Sequence, residues 1–248
     1  MKKRLCLSII AGACFLAGAV SAADESTFAK ANEDYAEARF QEAAAGYESL
    51  VQSGHCNATV FYDLGNAYYR LGGFGKAILN YERALALDPR HPEADANLRL
   101  ARDEARALEL RKDWIERYAS VATVKQFTIT ATVAFWFALF MIAHLFLSRR
   151  RSAGRIVLIA LSLLVSGVSV FAIVTLEDGT RGNALAIVTA KEIEARLATA
   201  DNAKSVLLLP AGSELKILSE RGDWVYAALP NDQRGWIPAS SAERVRMQ

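Results

Sequence analysis

Histidine and cysteine are scarce, with three of each in 248 residues. No Cys/His cluster has metal-ligand spacing, no glycine-rich run reads as a phosphate loop, and no Ser-His-Asp grouping has local support. These absences point away from an enzyme, and neither a cofactor nor a metal is expected. A charge of one sign is lacking as well: 29 Lys+Arg stand against 27 Asp+Glu. Residues 1–22 carry +3 and residues 148–155 carry +4, leaving 22 basic against 27 acidic residues elsewhere. A nucleic-acid partner would need an excess of Lys/Arg on the folded surfaces, so that class is excluded.

The positive charge falls where membrane topology would put it. Lys2, Lys3 and Arg4 precede the apolar run Leu5–Val20, which ends at Val20-Ser21-Ala22. That is the layout of a secretory signal peptide over 1–22, with Cys6 and Cys14 lost on cleavage. The alternative, a lipoprotein box at Ala11-Gly12-Ala13-Cys14, lacks the usual Leu three residues before the Cys. Phe127–Leu147 and Ile156–Leu176 are free of Asp, Glu, Lys and Arg. At about 20 residues per ~30 Å of hydrocarbon, each is long enough to span a bilayer. Between them, Ser148–Arg155 holds Arg149, Arg150, Arg151 and Arg155. The positive-inside rule places this loop in the cytoplasm and both flanks outside, in agreement with the leader. The expected location is a bacterial inner membrane, with two spans and both soluble regions periplasmic.

Only Cys56 survives processing, and a single thiol forms no internal disulfide even in an oxidising compartment. It reads as a half-buried turn residue, with an intermolecular or redox role as the alternative. His144, five residues before Arg149, reads as reaching the interface; a functional intramembrane group is the alternative.

An offset of 34 superposes Phe28 on Tyr62, Ala31 on Gly65, Asn32 on Asn66 and Tyr35 on Tyr69. It also superposes Phe40 on Phe74, Ala43 on Ala77 and Tyr47 on Tyr81. Within the second unit, Phe61, Leu64, Gly65 and Tyr68 share one helical face, and Ala77, Tyr81 and Ala84 another. Leu71-Gly72-Gly73 separates two helices, and Asp88-Pro89 ends the unit. This pattern resembles the tetratricopeptide repeat: Phe61, Leu64, Gly65, Tyr68, Ala77, Tyr81, Ala84 and Pro89 fall at the family's characteristic positions. The first unit, 24–57, is degenerate, with Lys30, Asp34, Leu50 and His55 at four of them. The clear unit covers 58–91, and a capping helix is expected over 92–112. By the family pattern Asn32, Tyr35, Asn66 and Tyr69 face a concave groove. There the Asn pair would bond the backbone of an extended peptide; for the Tyr pair, packing between repeats is the alternative. Residues 113–126 read as a juxtamembrane linker. The charged stretch Arg99–Arg117 reads as a solvated helical spacer continuing to the membrane, with Trp114 and Tyr118 in the interfacial belt.

After Leu176 the period changes to that of short strands: 186–188, 192–197, 206–209, 214–219, 224–229 and 235–237. About six strands between 183 and 246 imply a small barrel. Leu209-Pro210-Ala211-Gly212-Ser213-Glu214-Leu215, Gly222-Asp223-Trp224-Val225-Tyr226 and Gly235-Trp236-Ile237-Pro238 resemble the bacterial SH3-like domain. The Arg-Ser-Gly-Pro usual after the second strand is replaced by Arg196-Leu197-Ala198-Thr199. Trp224 and Trp236 read as plugs of the barrel core; the alternative is a ligand surface around Tyr226 and Trp236.

The fold class is thus a multidomain membrane protein: an all-α repeat solenoid, a two-helix hairpin and a small all-β barrel. Leader, repeats, hairpin and SH3-like segment, in this order, resemble the BatE-like proteins of bacterial aerotolerance operons. That resemblance implies protein partners: membrane proteins with von Willebrand A domains and, indirectly, a MoxR-type AAA+ ATPase. Membrane lipids are the other expected partner. The reading is a non-enzymatic scaffold, and the rival is a cell-wall sensor binding peptidoglycan stem peptides through the SH3-like segment.

Overall fold

The computed structural model describes residues 25–112, 114–147, 153–179, 182–200 and 202–246. The expected signal peptide with Cys6 and Cys14, and the loop residues Arg149, Arg150 and Arg151, lie outside the described residues.

Five helices come first: α1 (25–36), α2 (Phe40–Gln52), α3 (Ala58–Arg70), α4 (Phe74–Leu87) and α5 (Pro92–Ala105). Their ends follow local chemistry. Asn57 caps α3 by accepting from the Val60 amide at 2.8 Å. Gly72 makes the α3–α4 turn at φ 73°, a left-handed conformation that other residues adopt only under strain. Pro92 opens α5, where its missing N–H is no loss, and His91 Nδ1 accepts from the Ala94 amide.

The charged stretch after α5 departs from the expected solvated spacer. Arg106 takes the left-handed conformation and ends the helix, so the cap is shorter than 92–112. Residues 107–112 then run outside any helix or strand, held along the C-terminal region by bonds of Leu108 and Leu110 to Ser213 and Glu214. Helicity resumes in the short α6 (Trp114–Ala119). Two helices long and apolar enough to cross a membrane follow, α7 (Val124–Leu147) and α8 (Ala153–Asp178). Ala131, Ala138, Ser169 and Ala172 are buried where they pack, and the Ser166 hydroxyl donates to the Ala131 carbonyl. Small side chains let the two backbones approach, and the bulky ones face outward.

The C-terminal region is one seven-stranded antiparallel sheet in the order β3-β2-β6-β5-β4-β1-β7. Its strands are β1 (Leu185–Val188), β2 (Glu192–Arg196), β3 (Ser205–Pro210), β4 (Glu214–Arg221), β5 (Trp224–Ala228), β6 (Arg234–Pro238) and β7 (Ala242–Arg244). β3 and β7 stand at its edges, and among the described residues no ladder joins them. β7 has no counterpart in the sequence reading, because Ala242-Glu243-Arg244 is short and lacks alternation.

Alternation along β5 and β6 turns Val225, Ala227 and Ile237 into the core with Leu209, Leu215 and Leu229. Trp224, Tyr226 and Trp236 are therefore on the other face and half-buried. The expectation that Trp224 and Trp236 plug the core is corrected: the inward places belong to smaller residues. β1 is buried on both faces. Ala186 and Val188 join the sheet core, while Leu185 and Ile187 join Ile78, Leu98 and Ala101 of α4 and α5. Helices cover one side of β1 and sheet the other, which explains its unbroken Leu-Ala-Ile-Val.

The repeat and the sheet thus share a core. Glycine permits the approach at two points. A Cβ on Gly75 would lie 2.7 Å from the Val188 carbonyl oxygen, and one on Gly212 would lie 2.1 Å from Ile78 Cδ1.

Candidate functional site

Among the residues expected to face a groove on the helical repeat lies a small pocket of about 100 Å³. Tyr35, Asn66, Tyr69, Tyr81, Asn97 and Leu100 line it. Three of the four expected groove residues are there, and the fourth, Asn32, is exposed one repeat away. Asn97 and Leu100, both from α5, were missed. The 34-residue offset applied to Asn66 does reach Leu100, but it misses Asn97, which is out of register.

The amides have a structural task that the sequence did not disclose. The Tyr47 hydroxyl donates to Asn32 Oδ1 at 2.6 Å, and the Tyr81 hydroxyl donates to Asn66 Oδ1 at 2.8 Å. Asn97 Nδ2 also donates to Asn66 Oδ1, at 2.9 Å. Burial pushes both tyrosine hydroxyls well above their ordinary range, so they remain protonated donors. The Nδ2 groups of Asn32 and Asn66 make no hydrogen bond among the described residues. Each amide therefore spends its oxygen inside the repeat and keeps its donor.

Tyr35 and Tyr69 also pack. Each sits edge-on to the first residue of the next helix, Phe40 at 5.2 Å and Phe74 at 5.6 Å between ring centroids. Both stay half-buried, so one edge still faces the pocket. In α3, burial pushes the Asp63 carboxyl up to about 6, opposed by the charge of His91.

A contact recurs at the same repeat position on the other side of these helices. The Tyr68 hydroxyl donates to Glu48, and 34 residues on Arg102 pairs with Glu82. In the second instance the sheet takes part: one nitrogen of Arg102 meets Glu82 at 2.6 Å and also meets Glu214 of β4. Side-chain exposure is 8% for Arg102, 5% for Glu82 and 3% for Glu214. Glu214 further accepts from the Leu110 amide at 3.0 Å, and its own amide donates to the Leu108 carbonyl. The last turn of α5 is thereby fixed to the sheet while its first turns line the groove. Nearby, Arg83 of α4 donates to Glu243 and to the Arg244 carbonyl, a second tie between repeat and sheet.

On the sheet, Tyr226 and Trp236 stand opposite each other in register, with ring centroids 5.0 Å apart. Arg196 is the partner of Trp236 in β2. Cys56 is exposed rather than half-buried, because its loop projects between α2 and α3. His144 lies exposed in the last turn of α7, and Arg155 is half-buried in the first turn of α8.

Residues 58–91 match the family model of the tetratricopeptide repeat. The matched stretch is α3, α4 and the turn that follows, the unit carrying Asn66, Tyr69 and Tyr81. A comparison with curated proteins gives no match.

Proposed function

We propose that the chain is a non-enzymatic membrane scaffold whose helical groove receives an extended segment of a protein partner. Tetratricopeptide repeats serve protein–protein interaction, and one observation supports that role here. Asn32 and Asn66 stand one repeat apart with free amide donors, beside the half-buried edges of Tyr35 and Tyr69. Such donors suit backbone carbonyls and the tyrosines suit apolar side chains, with no demand for a particular sequence. Two apolar helices of spanning length favour membrane anchorage, and the arginine-rich loop favours a periplasmic setting for both soluble regions. The order of segments resembles that of BatE-like proteins, so partners with von Willebrand A domains come first. Photo-crosslinking from position 69, in cells, with mass spectrometry of the adducts tests the reading. Recovery of a protein partner whose yield falls in N32A/N66A supports it; adducts only with lipid or wall fragments refute it.

The cell-wall reading draws on a separate observation, the half-buried Tyr226–Trp236 pair on the face of the sheet away from its core. Paired aromatic faces beside Arg196 suit a peptide stem. Pull-down on purified peptidoglycan, lost in Y226A/W236A, would favour it.

A further inference from the structure

A crevice of about 410 Å³ opens where the soluble regions meet the membrane helices. That size falls within the range of small-molecule pockets, ~300–1,000 Å³. Its walls come from the end of α4, the segment leading into α7, Leu176 near the end of α8, β1 and residues 245–246. Most of the lining side chains are apolar, among them Leu85, Leu87, Leu176 and Val245.

Three observations bear on what fills it. The crevice lies at the level where the apolar helices end, since Val124 and Leu176 contribute to its wall. α6 packs beside α8 at that level and leaves Trp114 and Tyr118 65% and 75% exposed, as residues of a membrane interface are. The charges are unbalanced: Lys125 and Arg246 line the crevice, and neither is paired with a carboxylate among the described residues. Arg246 donates instead to the neutral Asn183 amide oxygen at 2.8 Å. Glu82 is the one acid in the wall, and Arg102 already holds it.

We infer that the crevice is a binding site for one anionic phospholipid of the adjoining leaflet. An acyl chain would lie against the leucines, continuous with the lipid-facing surface of α8. The phosphate would sit between Lys125 and Arg246. This goes beyond the scaffold proposal and rests on the reading of α7 and α8 as membrane-spanning.

The test uses the full chain extracted in mild detergent and examined by native mass spectrometry, with equal phosphatidylglycerol and phosphatidylcholine supplied. One phosphatidylglycerol should be retained in preference to phosphatidylcholine. Lys125→Gln should lower that retention about fivefold, and Lys125→Gln with Arg246→Gln further. Arg246→Lys, which keeps the charge, should restore most of it, and this distinguishes charge recognition from loss of fold. Equal retention of both lipids, or undiminished retention in the double variant, overturns the proposal. Release of the chain from membranes by alkaline carbonate would instead overturn the spanning reading beneath it.

Discussion

The two helical units solve one packing problem with the same four contacts and then diverge in what covers them. In the first, the Phe28 and Tyr47 rings lie 6.0 Å apart; in the second, Tyr62 and Tyr81 lie 6.1 Å apart. The Asn–Tyr hydrogen bond, the Tyr–Phe edge contact and the fully buried Ala43 or Ala77 repeat likewise. The residue leading out of each first helix differs. Asp34 is buried against Arg39, whose guanidinium holds that carboxyl below its usual range, whereas Tyr68 reaches to Glu48 and Lys76. The first helix of the first unit is mostly exposed, whereas the second unit is enclosed by α5 and the sheet. Identity of contact therefore belongs to the repeat, and difference belongs to the neighbour.

The strongest way to break that comparison is at the recurring contact. Arg102→Ala leaves Glu82 and Glu214 buried without their cation and should cost about 3–5 kcal/mol. Tyr68→Phe, the equivalent change one repeat earlier, removes the bonds to Glu48 and Lys76 and should cost about 0.5–1.5 kcal/mol for each. Chemical unfolding of the full chain in detergent, followed by loss of helicity, measures both. Similar costs would mean that the sheet adds nothing to the second contact. Replacing Arg102, Glu82 and Glu214 together by apolar residues should recover most of the loss, since the charges are then removed as a set.

Next in size is the close approach within each unit. A Cβ on Gly65 would lie 2.6 Å from the buried Tyr81 ring, and one on Gly46 would lie 2.9 Å from the Ala31 methyl. Gly65→Ala should cost about 1–3 kcal/mol by overpacking. Gly46→Ala should cost less, because the first unit opens to solvent and yields more easily. The reverse order in melting temperature would contradict the account of how the two units differ.

The repeat was legible because its signal is local and periodic. All seven residue pairs at the 34-residue offset occupy corresponding places, and the glycine turns and the Pro92 start are visible in the chain. Tertiary partners were not legible. Nothing in Arg99–Arg117 distinguishes a solvated charge from Arg102, whose two buried acids come from 20 residues before it and 112 after, with Glu109 on its other nitrogen at 3.3 Å. The same holds for the sheet. Aromatic residues suggested plugs, yet pleat alternation set Val225 and Ala227 inside and left Trp224 outside. In the groove, residue types marked Asn32, Tyr35, Asn66 and Tyr69, but Asn97 needed the fold.

A smaller effect separates the two amides. Asn66 Oδ1 accepts from Tyr81 and Asn97, while Asn32 Oδ1 accepts from Tyr47. Asn66→Ala should therefore destabilise more than Asn32→Ala, each lost bond being worth about 0.5–1.5 kcal/mol. Both should weaken partner recovery at temperatures where the variants remain folded. Unchanged recovery in both would move recognition away from the free Nδ2 donors.

The last predicted difference is one of pH, and the group behind it belongs to the second unit alone. Asp63 has its carboxyl raised from 3.8 to about 6 by burial, and 34 residues earlier the chain carries Ala29, which cannot titrate. A carboxyl raised on folding holds its proton more tightly in the native state than in the unfolded one. Between about pH 4 and 6 the native chain binds the extra proton, so this group lowers stability as pH rises through that window. Above it the penalty is constant, and below it the group contributes nothing. Asp63→Asn removes the titration and keeps the shape. The variant should match the wild type near pH 4 and exceed it increasingly towards pH 6, as seen in melting temperatures of the full chain across that range. The other carboxylates contribute equally to both proteins and cancel in the difference. A difference that stays flat from pH 4 to 6 would show that Asp63 is not held from solvent and that α3 is as open as α1.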